Sequence, residues 1–435
     1  MQLNRKELYP GIHLNYLPDS RFKTNYISIS FLTDMTGENA APSHLLPMVL
    51  GRGSAAYPTL GAINRALELV WDGTLDSGTG RLGESRPIGF SACYPDDRFL
   101  PGGENVEQRT LDIFFDIMLN PLTQEGAFSP SYVESEKEKL CQRIDTAINS
   151  KGKYATRRAT EELCHAEPYG IPSVGTKEQV IAISPKSLFD YYREMLSTFP
   201  IEIFYIGRTG FSEIENTMKQ RLATLFCPKK SLAGTMVIRH ADRVRRVEEN
   251  QSGKQGRLCL GFRTGITLSD QEFPAFVLMN EILGTSPISK LFTEVREKQS
   301  LCYYCSAIPD SLKGILMISS GIRDENRMKA EDSILAQVNA MKAGDFTEAE
   351  ILAAYNSIES ALKGLSDGRS TVESFVLRRL LAGCDTDPEH YRSALKAVRK
   401  DDIVAAAKRL CLDTVYYLKP DGHDNESTGG EEQDD

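Results

Sequence analysis

The chain has 435 residues, 41% hydrophobic and 26% charged, a balance that supports large buried cores and excludes disorder over most of the length. No apolar run reaches the roughly 18 residues needed to cross a bilayer, and the basic start has no apolar segment behind it, so the sequence reads as a soluble cytoplasmic protein without a secretory signal or membrane contact. The net charge of −9 is concentrated in residues 421–435, which hold seven acids and no Lys or Arg; the other 420 residues sum to −2, without the basic surface that nucleic-acid binding needs.

In chain order, residues 25–34 (NYISISFLTD) alternate as a half-buried strand, and a helical segment follows over 44–50. Residues 66–71 read as helix, and Leu111, Phe114, Phe115 and Met118 fall on one face of another. Ser129 and Pro130 form a helix start, with Ser129 as N-cap and Pro130 in the first position. A helix over 188–196 then leads to a strand over 201–206.

The same order returns further on. Residues 255–264 (QGRLCLGFRT) match 25–34, and a helical segment over 273–283 follows. Ile334, Leu335, Val338 and Met341 repeat the helix face, Thr347 and Glu350 form a capping box, and a helix over 403–410 precedes a strand over 414–418. The offset between halves shrinks from 230 to 218 to 213 residues, which places extra loop in the first half, within 78–104. This predicts an α+β protein of two duplicated, sandwich-like domains, each a sheet covered by helices. The expected boundaries are 1–225, a linker and entry strand over 226–256, 257–420, and a disordered acidic tail over 421–435.

Several motifs carry little chemistry. Nine scattered cysteines fit reduced thiols, not a disulfide framework. Cys302 and Cys305 have C-x-x-C spacing but lie in a predicted strand, where residues i and i+3 point to opposite faces. Gly78, Gly80 and Gly83 match G-x-G-x-x-G without the strand–turn–helix context a dinucleotide requires. Glu134, Glu136 and Glu138 interleave with Lys137 and Lys139 as a solvated helix face, and Arg243, Arg245 and Arg246 fit an edge strand or linker. No two of the six histidines form a local metal pair, and His165 reads as a turn residue.

Residues 289–306 (SKLFTEVREKQSLCYYCS) resemble the most recognisable segment of the pitrilysin/insulinase-type zinc peptidases, the inverted zincins. Residues 258–262, 280–284, 168–176 and 53–58 fit the same family, so the resemblance covers nearly the whole chain except the tail. The family's H-x-x-E-H places two histidines on one helix face as zinc ligands, with the glutamate as general base. The corresponding residues here are His44, Pro47 and Met48, and Arg143 stands where the third ligand, a glutamate, is expected seven residues after Glu136. A proline supplies no base and would start or bend the helix; a thioether is a poor zinc ligand; a guanidinium repels a dication. The resemblance thus implies no metal and no cofactor on this chain.

Arg296 and Tyr303 match the family's arginine and tyrosine that contact substrate near the scissile bond, with Tyr304 adjacent and Ser300 replacing a glycine. The resemblance implies a clam-like half that pairs with a homologous subunit carrying H-x-x-E-H and the zinc. Arg296 and Tyr303 would then hold a peptide substrate. A homodimer stays open, as does a different class: a non-enzymatic peptidase-like scaffold or peptide-binding protein.

Overall fold

The computed structural model describes residues 3–422. The expected tail from 423 onward lies outside the described residues. Two compact units form: residues 3–146, 167–236 and 364–388 in the first, and 147–166, 237–363 and 389–422 in the second.

The chain begins with β1 (Asn4–Tyr9), β2 (Ile12–Pro18), β3 (Thr24–Asp34), α1 (Ala40–Leu50), α2 (Leu60–Glu68), β4 (Thr74–Thr79), β5 (Ser85–Pro95) and α3 (Val106–Leu119). A two-residue hairpin follows, β6 (Thr123–Gln124) and β7 (Ala127–Phe128), then α4 (Pro130–Thr146), α5 (Lys151–Leu163), α6 (Lys177–Ala182), α7 (Pro185–Thr198), β8 (Ile201–Gly207) and α8 (Phe211–Arg221). The rest comprises β9 (Arg245–Gln251), β10 (Gly256–Arg263), α9 (Phe273–Asn280), β11 (Cys302–Asp310), β12 (Ile315–Ile322) and α10 (Arg327–Ala343). It ends with α11 (Glu348–Gly364), α12 (Arg369–Leu381), α13 (Pro388–Lys396), α14 (Lys400–Lys408) and β13 (Cys411–Pro420).

In the first unit the strands lie in the order β1-β2-β8-β3-β5-β4, antiparallel except for the parallel pair β2 and β8. The period of two in β3 sends Ile27, Ile29 and Phe31 to one face, where they meet Leu45, Leu46 and Val49 of α1, Phe114 and Met118 of α3, and Leu188 and Met195 of α7. Each such buried side chain contributes roughly 1.5–3 kcal/mol. The opposite face packs Leu17, Phe204 and Ile206 against Val372, Val376 and Leu377 of α12. Hydroxyls of Tyr26 and Ser28 both donate to the Glu373 carboxylate at 2.6 Å, anchoring α12 on that face.

The second unit repeats this plan. Its order is β11-β12-β10-β13-β9, and β13 and β9 are the parallel pair. Replacing β4, β5, β3, β8 and β2 by β11, β12, β10, β13 and β9 reproduces the first sheet without β1, which confirms the duplication. Helices α9, α10 and α14 cover one face through Phe276, Met279, Ile334, Val338 and Ile403. Helix α5 crosses the other: a Cβ on Gly261 would come within 3.1 Å of Leu163, so glycine permits this close approach. The Thr347–Glu350 capping box is present, with each side chain accepting from the other's backbone N–H. Thus each sheet receives one helix from the opposite half of the sequence, α12 in the first unit and α5 in the second.

Two local expectations need correction. Residues 85–95 are a full strand in an eleven-residue register with β3, so 78–104 is not predominantly extra loop. Cys302 and Cys305 both face the buried core, because the register of β11 against β12 slips between Cys302 and Tyr304. That bulge adds a residue and returns the second sulfur to the first one's side.

Candidate functional site

Helix α1 runs unbroken from Ala40 to Leu50, and Pro47 lies inside it, not at its start. The Pro47 carbonyl still closes the helix, accepting from Gly51 N–H, and also accepts from the Ser77 hydroxyl of β4. Spacing of four residues brings His44 and Met48 to one face, as a metal-binding pair would require. Helix α4 packs beside α1, where Arg143 Nη1 donates to the Met48 thioether at 3.9 Å.

A third element enters this site from β5. Arg86 is 1% exposed, and its Nη1 lies 3.2 Å from His44 Nδ1 while donating to the Ser173 carbonyl at 2.6 Å. The same His44 nitrogen lies 3.1 Å from the Ala40 carbonyl. Burial above all, with the charges of Arg86, Arg143 and Arg81 adding, pushes the His44 pKa down to about 4, although the Ala40 carbonyl opposes the shift. Burial and the neighbouring Arg81 charge bring Arg86 down to about 10. Glu136, the acid from which Arg143 was located, is buried and paired with Lys139 and Arg52.

Zinc, which a complete motif would hold, does not fit these residues. His44 is the one competent nitrogen ligand of the motif, beside a weak thioether and under the field of three guanidinium groups. Among the described residues no group of three or more His, Cys, Asp or Glu could hold a metal ion. Arg81 and Arg86 escaped the sequence reading. The only signal was an arginine amid the otherwise apolar, alternating 85–95 segment.

Arg296 and Tyr303 lie in the second unit. Arg296 sits in a π-helical segment, Leu291–Lys298, with its guanidinium 4.6 Å above the Phe292 ring and 3.6 Å from Glu297. Tyr303 is half exposed at the β11 bulge, and a hydrogen bond and positive charge from Arg323 lower its phenol pKa. Tyr304 instead stands over Gly152 of α5 and under the Arg257 guanidinium. Ser300, in the glycine position, has φ of +51°, so the turn keeps a left-handed conformation.

The duplicated α+β fold, with His44, Pro47 and Met48 on α1 beside Arg86 and Arg143, defines a protein whose candidate metal site does not fit zinc. Known proteins resemble the chain. Residues 182–358 match the family described as "Peptidase M16 inactive domain". The chain is 28% identical over 417 residues to the "Probable inactive metalloprotease YmfF" of Bacillus subtilis, covering 95% of this chain and 97% of that protein. A crystal structure of a conserved protein from Enterococcus faecalis superposes with a TM-score of 0.90 at 24% identity, over 97% of this chain and 100% of the other. That of a peptidase M16 inactive domain from Pseudomonas fluorescens gives 0.76 at 16%, over 97% and 98%. Residues 182–358 are thus similar to a peptidase M16 inactive domain, and the chain has the fold of M16-like peptidases.

Proposed function

We propose that this chain is the non-zinc-binding subunit of a two-subunit zinc peptidase, inactive alone, whose partner is a homologous chain with an intact H-x-x-E-H. The observation that carries this reading is the guanidinium of Arg86 beside His44, with Arg143 against Met48, which leaves the motif unable to hold a dication. A chain that cannot supply the metal can still supply substrate contacts. Tyr303 is exposed, and its hydroxyl can donate to a developing oxyanion; Arg296 can hold a peptide carbonyl. The outer edge of β4, beside α1 and unpaired among the described residues, adds backbone groups that an extended peptide could use. The nine cysteines form no disulfide among the described residues, which suits a reducing, cytoplasmic setting.

The test is zinc content and peptide hydrolysis for the chain alone, then with a candidate H-x-x-E-H partner. The expected result is no zinc and no turnover alone, turnover with the partner, and a loss of ~10²-fold or more for Tyr303→Phe or Arg296→Ala. Unchanged turnover in both variants would favour the non-enzymatic scaffold. Stoichiometric zinc on the isolated chain would overturn the reading.

A further inference from the structure

Arg81, Arg86 and Arg143 all act on His44, and among the described residues none of the three pairs with a carboxylate. Arg81 donates to the Ile171 carbonyl and lies 4.4 Å from the Tyr169 ring centre; Arg143 has the Met48 sulfur. Arg86 is the least satisfied. It is 1% exposed, its Nη1 is used by Ser173, and its Nε and Nη2 have no hydrogen-bond partner among the described residues. Buried charges are ordinarily paired, and a buried polar group without a partner points to a water or ion at that place. A water would satisfy a donor without offsetting the charge. Nε and Nη2 form one edge of the guanidinium fork, the edge that matches two oxygens of a carboxylate or phosphate.

We propose that the unpartnered Nε–Nη2 edge of Arg86 is an oxyanion site beside the degenerate metal motif, with Arg86 as the buried bidentate donor, Arg143 a further positive charge at the same helix, and a carboxylate or phosphate group as ligand. The sign of the site is thereby reversed. Where a complete motif holds a cation with an acid and two neutral imidazoles, this chain presents guanidinium groups and one neutral imidazole. The ligand is either a small free oxyanion or the C-terminal carboxylate of a bound peptide. The site itself depends on neither a partner nor hydrolysis.

The experiment is thermal denaturation and calorimetric titration of the full chain with sodium phosphate, sodium acetate, and a short peptide as free acid and as C-terminal amide. Sodium chloride at matched ionic strength is the reference. The expected result is a rise in Tm and saturable binding beyond the chloride reference. Arg143→Gln should weaken binding by about tenfold, the scale of one charge-assisted contact. Arg86→Met, which keeps the volume and removes the unpaired charge, should abolish binding and raise Tm in anion-free buffer, so that lost binding is not mistaken for lost folding. Tighter binding of the free acid than of the amide identifies a peptide terminus; phosphate or acetate binding with no such preference identifies a small free oxyanion. Both uphold the site. Absence of any effect beyond the chloride reference, or an effect that survives both substitutions, would overturn it. Neither result depends on zinc or turnover, so failure here is separable from failure of the subunit reading.

Discussion

Arg143 Nη1 donates to the thioether sulfur of Met48, 3.9 Å away, joining α4 to α1. The family resemblance implies metal ligands at these two places, and each residue disfavours a metal for a separate reason. The sulfur is a soft, neutral ligand, and the guanidinium brings a permanent positive charge.

Restoring ligands at those two places should restore metal once the buried charge beside His44 is also removed. With His44 retained, Met48→His and Arg143→Glu combined with Arg86→Met should raise zinc from below about a tenth to roughly one per chain, measured by atomic absorption after dialysis. Hydrolysis should stay absent, since Pro47 still provides no general base.

His44 should make the protein acid-sensitive in a defined window. Its folded pKa of about 4 lies below the ordinary 6.5, so its contribution to stability is complete above pH 6.5 and is lost as pH falls towards 4. The loss amounts to about 3 kcal/mol. Urea melts between pH 4 and 7 should show a shallower acid slope for His44→Gln than for the parent. Imidazole NMR should place the His44 titration well below the ordinary imidazole value of 6.5.

Glu107 should act in the opposite direction. Burial raises its pKa to about 7, while hydrogen bonds from Thr209 and Asn25 hold it down in part. Its contribution is complete below pH 4.5 and is lost as pH rises through 7. Glu107→Gln keeps an oxygen for both donors and removes the charge. It should stabilise the protein by about 2 kcal/mol at pH 8 and change little at pH 4.5, read by denaturant melts at the two pH values.

Ser300 should tolerate glycine with a gain. Its φ of +51° places a Cβ in the left-handed region, which costs roughly 1–2 kcal/mol, partly offset by the greater unfolded-state freedom of glycine. Ser300→Gly should stabilise by about 0.5 kcal/mol in urea melts, with the Tyr303 phenol titration unchanged.

Much of the fold was legible because it is written in local periodicity. The alternation in 25–34 and 255–264 reports β3 and β10, and the apolar spacing of 111–118 and 334–341 reports α3 and α10. That His44, Pro47 and Met48 share one helix was equally legible, since they are neighbours in sequence. Arg86 was not. It reaches His44 from 42 residues away through the pairing of β5 with β3, and nothing near it in sequence marks it as part of the site. Cys302 and Cys305 were read to opposite faces because an ideal strand alternates, whereas a bulge set by the partner strand resets the phase.

The sequence by itself determined that the chain is a duplicated α+β protein, because hydrophobic period is a property of contiguous residues. Tertiary structure alone decided that α5 lies on the second sheet and α12 on the first. It also decided that Arg86 and Arg143 converge on the helix of His44 and Met48. Side chains distant in sequence meet only through packing and strand pairing, and the charge and hydrogen-bond satisfaction of a buried site are set by those meetings.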